Sequence, residues 1–224
     1  MGHTPMSRPN GNCSHAHAMK VYVIGLGNIG LPVALHISKY FDTVGIDINE
    51  KAVERAKSFG LKASNILGGD PDVYIVSVDT DFKNGIPDMS SVDAVCSKLD
   101  SNSLISIEST LSVGTSRKLA TKYELENVVV CPHRWWKEDQ VNHGIVQLRV
   151  IGGLNEKSLE MGKSFYTMLG IPILPLTSLE MAELAKVTEN SYYFVQIAFA
   201  EEMKMLCDKN GLDFEELRKA CNTK

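Results

Sequence analysis

The stretch "KVYVIGLGNIGLPVA" leaves the chain few ways to fold. Gly25, Gly27 and Gly30 form a G-x-G-x-x-G that follows a β-type apolar run directly and opens a helical pattern. Such a strand-to-helix turn is built where backbone amides must approach an anion, because no Cβ stands in the way and the helix N-terminus favours negative charge. The alternative is a tight turn whose glycines serve packing alone. Asp47 ends the next β-type run at about the twenty-residue distance at which an acid meets a ribose. The combination predicts a dinucleotide site, with Gly25, Gly27, Asn28, Ile29 and Gly30 around the pyrophosphate and Asp47 on the ribose hydroxyls. A carboxylate there repels the extra phosphate of NADP, so NAD is the expected cofactor. Lys51 and Arg55 on the following helix read as solvated charges.

Strand and helix patterns continue to alternate. After the first run come a helix over about 28–40, "TVGID", a helix over about 50–59, "DVYIVSV", "SLISIEST", "NVVVCP", "LRVIGG", a helix over about 156–169 and "IPILPL". This predicts an α/β fold: a doubly wound, mostly parallel Rossmann sheet followed by a long α-helix. Residues 1–18, polar and without period, read as a flexible leader or expression-derived segment, 19–176 as the NAD-binding domain, and 177–224 as the long helix and the start of a central helical region. Thr177-Ser178-Leu179-Glu180 fits a capping box. From there the helix runs about 30 residues to Gly211, roughly 45 Å, which is longer than a small domain needs, so a homodimer through this helix is expected.

Composition removes several function classes. A net charge of −4 and the absence of a Lys/Arg-rich block argue against nucleic acid or an acidic membrane as partners. No apolar run approaches the roughly 20 residues that span a bilayer, and the leader lacks the apolar core of a secretory signal, so a cytoplasmic protein is expected. The five cysteines include no C-x-x-C and read as free thiols. Cys131, His133 and His143 fit no zinc spacing, and no metal is expected.

Candidate site residues gather where open α/β sheets bind ligands, beyond the carboxyl ends of the strands. Thr80 follows one strand; Glu108, Ser109 and Thr110 follow another, and Thr115 is placed to cap the next helix. These groups read as helix caps or as neighbours of nicotinamide and substrate, Thr80 and Glu108 toward the cofactor. On the long helix, "ELAKVTEN" stacks Lys186 and Asn190 on one face. In a poorly hydrated pocket an ammonium and an amide stabilise developing negative charge; on an open helix they are a solvated pair.

With these residues assembled, the sequence resembles the UDP-glucose/GDP-mannose dehydrogenase family over about residues 19–224. The resemblance rests on "KVYVIGLGNIGLPVA", "VSVDT" with "PDMSSV", "ESTLSVGTS", "RVIGG" and "AELAKVTENSYYFVQIAFAEEMKMLCDKNGLD". It implies oxidation of the C6 alcohol of a nucleotide sugar to a carboxylate with two NAD, through a thiohemiacetal on a cysteine. Lys186 and Asn190 would then stabilise an oxyanion or order a water, while Glu108 and Thr110 position water and substrate. The family's Gly-Gly-His-Cys segment and nucleotide-sugar-binding domain have no counterpart before Lys224, so a short or partial form limited to the alcohol-to-aldehyde step is expected. Where many relatives carry Pro-Glu, this chain reads Pro132-His133, a histidine able to act near neutral pH or to belong to a packed loop. Arg134, Trp135 and Trp136 would stack on a base or sugar, or form a subunit contact. A β-hydroxyacid dehydrogenase using Lys186 and Asn190, and a non-catalytic dimeric NAD-binding module, remain open alternatives.

Overall fold

The computed structural model describes residues 19–134 and 144–223. The expectations for the leader and for Trp135, Trp136 and His143 lie outside the described residues. In chain order the elements are β1 (Lys20–Ile24), α1 (Gly30–Ile37), β2 (Asp42–Ile46), α2 (Glu50–Ser58), β3 (Lys62–Ser64), β4 (Val73–Val76), β5 (Asp81–Lys83), β6 (Ile86–Asp88), α3 (Ser90–Cys96), β7 (Leu104–Ile107), α4 (Thr115–Lys122), β8 (Val128–Val130), β9 (Arg149–Gly153), α5 (Glu156–Met168), β10 (Ile173–Pro175), α6 (Leu179–Asn210) and α7 (Phe214–Cys221).

Eight strands form one sheet in the order β10-β9-β8-β7-β4-β1-β2-β3. Every pairing is parallel except β8 with β9. Helices cover both faces, which is why β4, β7 and β8 are buried at every position. Period-two alternation divides the strands between two cores. Val21 and Val23 face α1 and α5, where Phe165 lies, whereas Tyr22 and Ile24 face Val92 of α3 and Leu119 of α4. The strand order reverses between β1 and β4, the kind of crevice where open sheets bind ligands, and the glycine turn leaves β1 there.

Local chemistry departs from expectation in three places. A β5–β6 hairpin turns at Asn84 and Gly85, both at positive φ, between β4 and α3, where no strand is expected. Thr115 does not cap α4: the N-cap is Gly114, without a side-chain cap of its own. The expected box at 177–180 is likewise replaced, since Ser178 Oγ accepts the Met181 amide while the Glu180 carboxylate turns to Arg117.

Helix α6 is 32 residues long and ends at Gly211 in the left-handed conformation. Its first turns sit on β9. A Cβ on Gly152 would stand 2.1 Å from the Ser178 carbonyl oxygen and 3.1 Å from Ala182 Cβ, so only glycine lets the helix approach this closely. Leu179, Ala182 and Glu183 are buried at this end, whereas residues 191–202 are all exposed. Gly152→Val should therefore destabilise the protein by about 1–3 kcal/mol through overpacking, read as a lower urea midpoint with unchanged slope.

Candidate functional site

The glycine turn is shaped by clearance. Gly25 lies at φ +93°, and a Cβ there would be 2.2 Å from the Ser77 carbonyl oxygen. A Cβ on Gly30 would be 1.7 Å from the Gly25 oxygen. These two glycines are demanded by the fold. Gly27 differs: its Cβ would meet no atom within 4 Å, and the residue is exposed beside the half-buried Ile29 and exposed Asn28. A side chain at Gly27 would fill the open space from which a pyrophosphate approaches the backbone, so the turn fits a dinucleotide.

Asp47 and Arg55 fix that turn. The Leu26 N–H donates to Asp47 Oδ2 at 2.7 Å, the Asn49 N–H donates to Oδ1 at 2.8 Å, and Arg55 Nη2 donates to the Leu26 carbonyl at 2.7 Å. Each carboxylate oxygen retains a lone pair for a ribose hydroxyl. Arg55 is thus more than a solvated charge. Its contact depends on how α2 lies over the turn, and no local pattern announces it.

Across the crevice, the Ser77 backbone abuts Gly25, and three residues on Thr80 Oγ1 donates to the Thr110 carbonyl at 2.8 Å. Ser109 Oγ donates to the Val78 carbonyl at 2.7 Å. The ends of β4 and β7 are therefore tied together beside the turn. Glu108 points inward from this edge and is only 4% exposed. Arg149 Nη1 and the Tyr166 hydroxyl each donate to its Oε1 at 2.8 Å, and Tyr166 also bonds Ser106 at 2.6 Å. Its other oxygen, Oε2, is buried and has no hydrogen-bond partner among the described residues, leaving capacity for one more donor.

Arg149 is fully buried and was not among the expected site residues; its trace in the sequence is an arginine opening the otherwise apolar "RVIGG". Its Nη2 lies 2.8 Å from His133 Nε2. A guanidinium can only donate, so Nε2 accepts and the imidazole proton resides on Nδ1. Burial first, then Arg149 and Lys186, push His133 down to about 2. Of the two readings of His133, the packed one fits: it is a buried, neutral imidazole and does not titrate near neutrality. Burial likewise pushes the Cys131 thiol up to about 12.

Lys186 completes the cluster from α6. Its side chain is 15% exposed, 3.9 Å from Glu189 Oε2, and the same oxygen lies 3.1 Å from Arg134 Nε. Burial holds the ammonium below its usual range, opposed by Glu189 and assisted by Arg134. Lys186 acts on His133 through its charge, and His133 bonds Arg149, which in turn reaches Glu108, two residues before Thr110. Asn190 is exposed one turn further along α6. Among the described residues no His, Cys, Asp or Glu grouping could hold a metal, and no helix is long and apolar enough to cross a membrane.

Comparison with known proteins places this arrangement. Residues 61–170 match the NAD binding domain of the UDP-glucose/GDP-mannose dehydrogenase family, and residues 180–224 match its central domain. The chain belongs to the UDP-glucose/GDP-mannose dehydrogenase family. It is 31% identical to UDP-N-acetyl-D-mannosamine dehydrogenase of Methanococcus maripaludis, over 91% of this chain and 55% of that protein. The structure of UDP-D-ManNAc dehydrogenase from Pyrococcus horikoshii superposes with a TM-score of 0.77 at 28% identity, over 92% of this chain and 58% of that one. UDP-N-acetyl-mannosamine dehydrogenase from Staphylococcus aureus gives 0.73 at 27%, with the same coverage. The chain spans about half the length of these relatives.

The chain thus carries the family's NAD-binding domain, with the glycine turn lying ahead of the matched segment and recognised by its geometry. The buried neutral His133 gives a test of the cluster. Unfolding lets its imidazole take up a proton at any pH below the ordinary value of about 6.5, so this group removes stability as pH falls, by up to about 1.4 kcal/mol per pH unit. His133→Asn should flatten the fall in unfolding free energy between about pH 6.5 and 4.5, measured by urea titration.

Proposed function

We propose that this chain serves an NAD-dependent oxidoreductase of the nucleotide-sugar 6-dehydrogenase type, acting on a CH–OH donor. The observation that carries the reading is the part-desolvated pair of cations Lys186 and Arg134 on Glu189, Arg134 being next in the chain to His133, whose partner Arg149 reaches Glu108 at the end of β7. Bound NAD would accept a hydride from the alcohol carbon. Gly25, Gly27, Asn28, Ile29 and Gly30 would seat its pyrophosphate, and Asp47 its ribose. Thr80 and Thr110 would line the nicotinamide end, with Glu108 supporting that edge from within.

Lys186 stabilises negative charge developing on the substrate oxygen. An ammonium shielded from water does this far better than a solvated one, because the local dielectric is low and the charge is already oriented. Asn190 adds an amide donor on the same helix face. His133 stays neutral, so it donates and orients without serving as the base. The likeness to UDP-N-acetylmannosamine dehydrogenases supports a nucleotide sugar as the substrate class.

The test is NADH absorbance against a panel of nucleotide sugars and hydroxyacids. Turnover with a UDP-N-acetylhexosamine supports the reading; turnover with hydroxyacids alone, or saturable NAD binding without any turnover, defeats it. Lys186→Ala should lower turnover about 10²–10⁴-fold with NAD affinity unchanged. Gly27→Val should keep stability within about 0.5 kcal/mol and weaken NAD binding at least ~10-fold, because its side chain enters ligand space rather than protein.

We also propose that a second copy covers α6. Tyr192, Phe194, Val195, Ile197 and Phe199 are 55–74% exposed, an apolar surface that water opposes. Light scattering of the eluting protein should give the dimer mass, and Phe194→Glu should shift it toward the monomer.

A further inference from the structure

We propose that Glu183 is the positioning residue for Lys186: it fixes the rotation of α6 about its axis and so holds the lysine face toward the strand edge. This rests on the reading of Lys186 as a site residue. Helix α4 follows its N-cap Gly114, which lies at φ +85° and offers no side-chain cap. Its unpaired first amides are satisfied instead from α6: the Gly114 N–H donates to Glu183 Oε2 at 2.5 Å and the Ser116 N–H to Oε1 at 2.8 Å. Orphan amides and the positive end of the helix dipole both favour a carboxylate there.

The placement is specific. Glu183 is 1% exposed although the next residue, Leu184, is 45% exposed. Ala182, beside it, is seated on Gly152 of β9. One contact would leave α6 free to roll; two, on different elements, remove that freedom. Glu180 pairs with Arg117 of α4 one turn earlier, but this pair is exposed to solvent and contributes little. Lys186 lies three residues beyond Glu183 and Asn190 seven beyond, on the same face. Because residues 191–202 are all exposed, the angle set at Glu183 decides where that face points.

The experiment measures the titration midpoint of Lys186 in the full chain, by pH-dependent amine labelling read by peptide mass spectrometry. Burial lowers this midpoint most, Glu189 on α6 raises it and Arg134 on the loop after β8 lowers it; His133 of the same loop, which feels the Lys186 charge, is a neutral ring and adds no charge of its own. Glu183→Ala should move the midpoint up toward the ~10.4 of a free lysine. Glu183→Gln should move it part of the way, since an amide oxygen accepts one N–H while its NH₂ opposes the other. Leu119→Ala, which loosens α4 from beneath, should lower the melting temperature and leave the midpoint in place. The readout needs neither substrate nor cofactor, so it stands even if no nucleotide sugar is oxidised. An unchanged midpoint in folded Glu183→Ala, or in Glu183→Gln if the alanine variant does not fold, overturns the proposal, as does an equal shift in Leu119→Ala.

Discussion

The buried pair between Arg149 and Glu108 organises everything around it. It spans from β9 to β7 across β8, tying the strand that breaks the parallel pattern to the strand whose end carries Thr110. Removing two charges from water is expensive, and apolar residues often match such a pair for stability. What leucines in its place would not supply is direction. The guanidinium spends separate donors on Glu108, on the Ile145 carbonyl and on His133, and the Tyr166 hydroxyl of α5 adds a second donor to Glu108. The outcome is one carboxylate orientation and one histidine tautomer, both set by groups with no freedom to reorganise.

That rigidity explains the electrostatics at the edge. His133 is buried and feels the charges of Arg149 and Lys186, so protonation would add a third positive charge where solvent cannot screen it. Lys186 keeps a carboxylate neighbour in Glu189, which offsets part of its desolvation. The cluster therefore presents positive charge and neutral donors but no strong base. That make-up supports the proposed role in stabilising an oxyanion more than one in drawing off a proton.

Helix α6 joins this centre to the rest of the molecule in two different ways. At its start Ala182 fits over Gly152 and Glu183 caps α4, so the helix is held by shape and by paired hydrogen bonds. Farther on, its aromatic side chains have no cover within the chain. A segment that is fixed at one end and apolar along the other can carry a site residue at the junction, where packing is tight, and offer its remainder to another surface.

Periodicity and glycine spacing alone determined the alternating α/β architecture, the nucleotide turn with Asp47 beyond it, and a helix ending at Gly211, because each is written in neighbouring residues or in a period of two or 3.6. The family strings likewise placed Lys186 and Asn190 on that helix. Tertiary structure decided what those residues touch. Arg55 holds the glycine turn from 29 positions away, Glu108 meets Arg149 from 41, and Glu183 caps a helix 69 residues earlier. Thr115 and Glu180 looked like caps for the same reason that they are not: a local motif states only that an amide needs an acceptor, and a better-placed or more strongly paired group arrived from elsewhere in the fold. Charge state followed the same rule, since His133 is neutral through burial and two cations that no stretch of its own sequence contains.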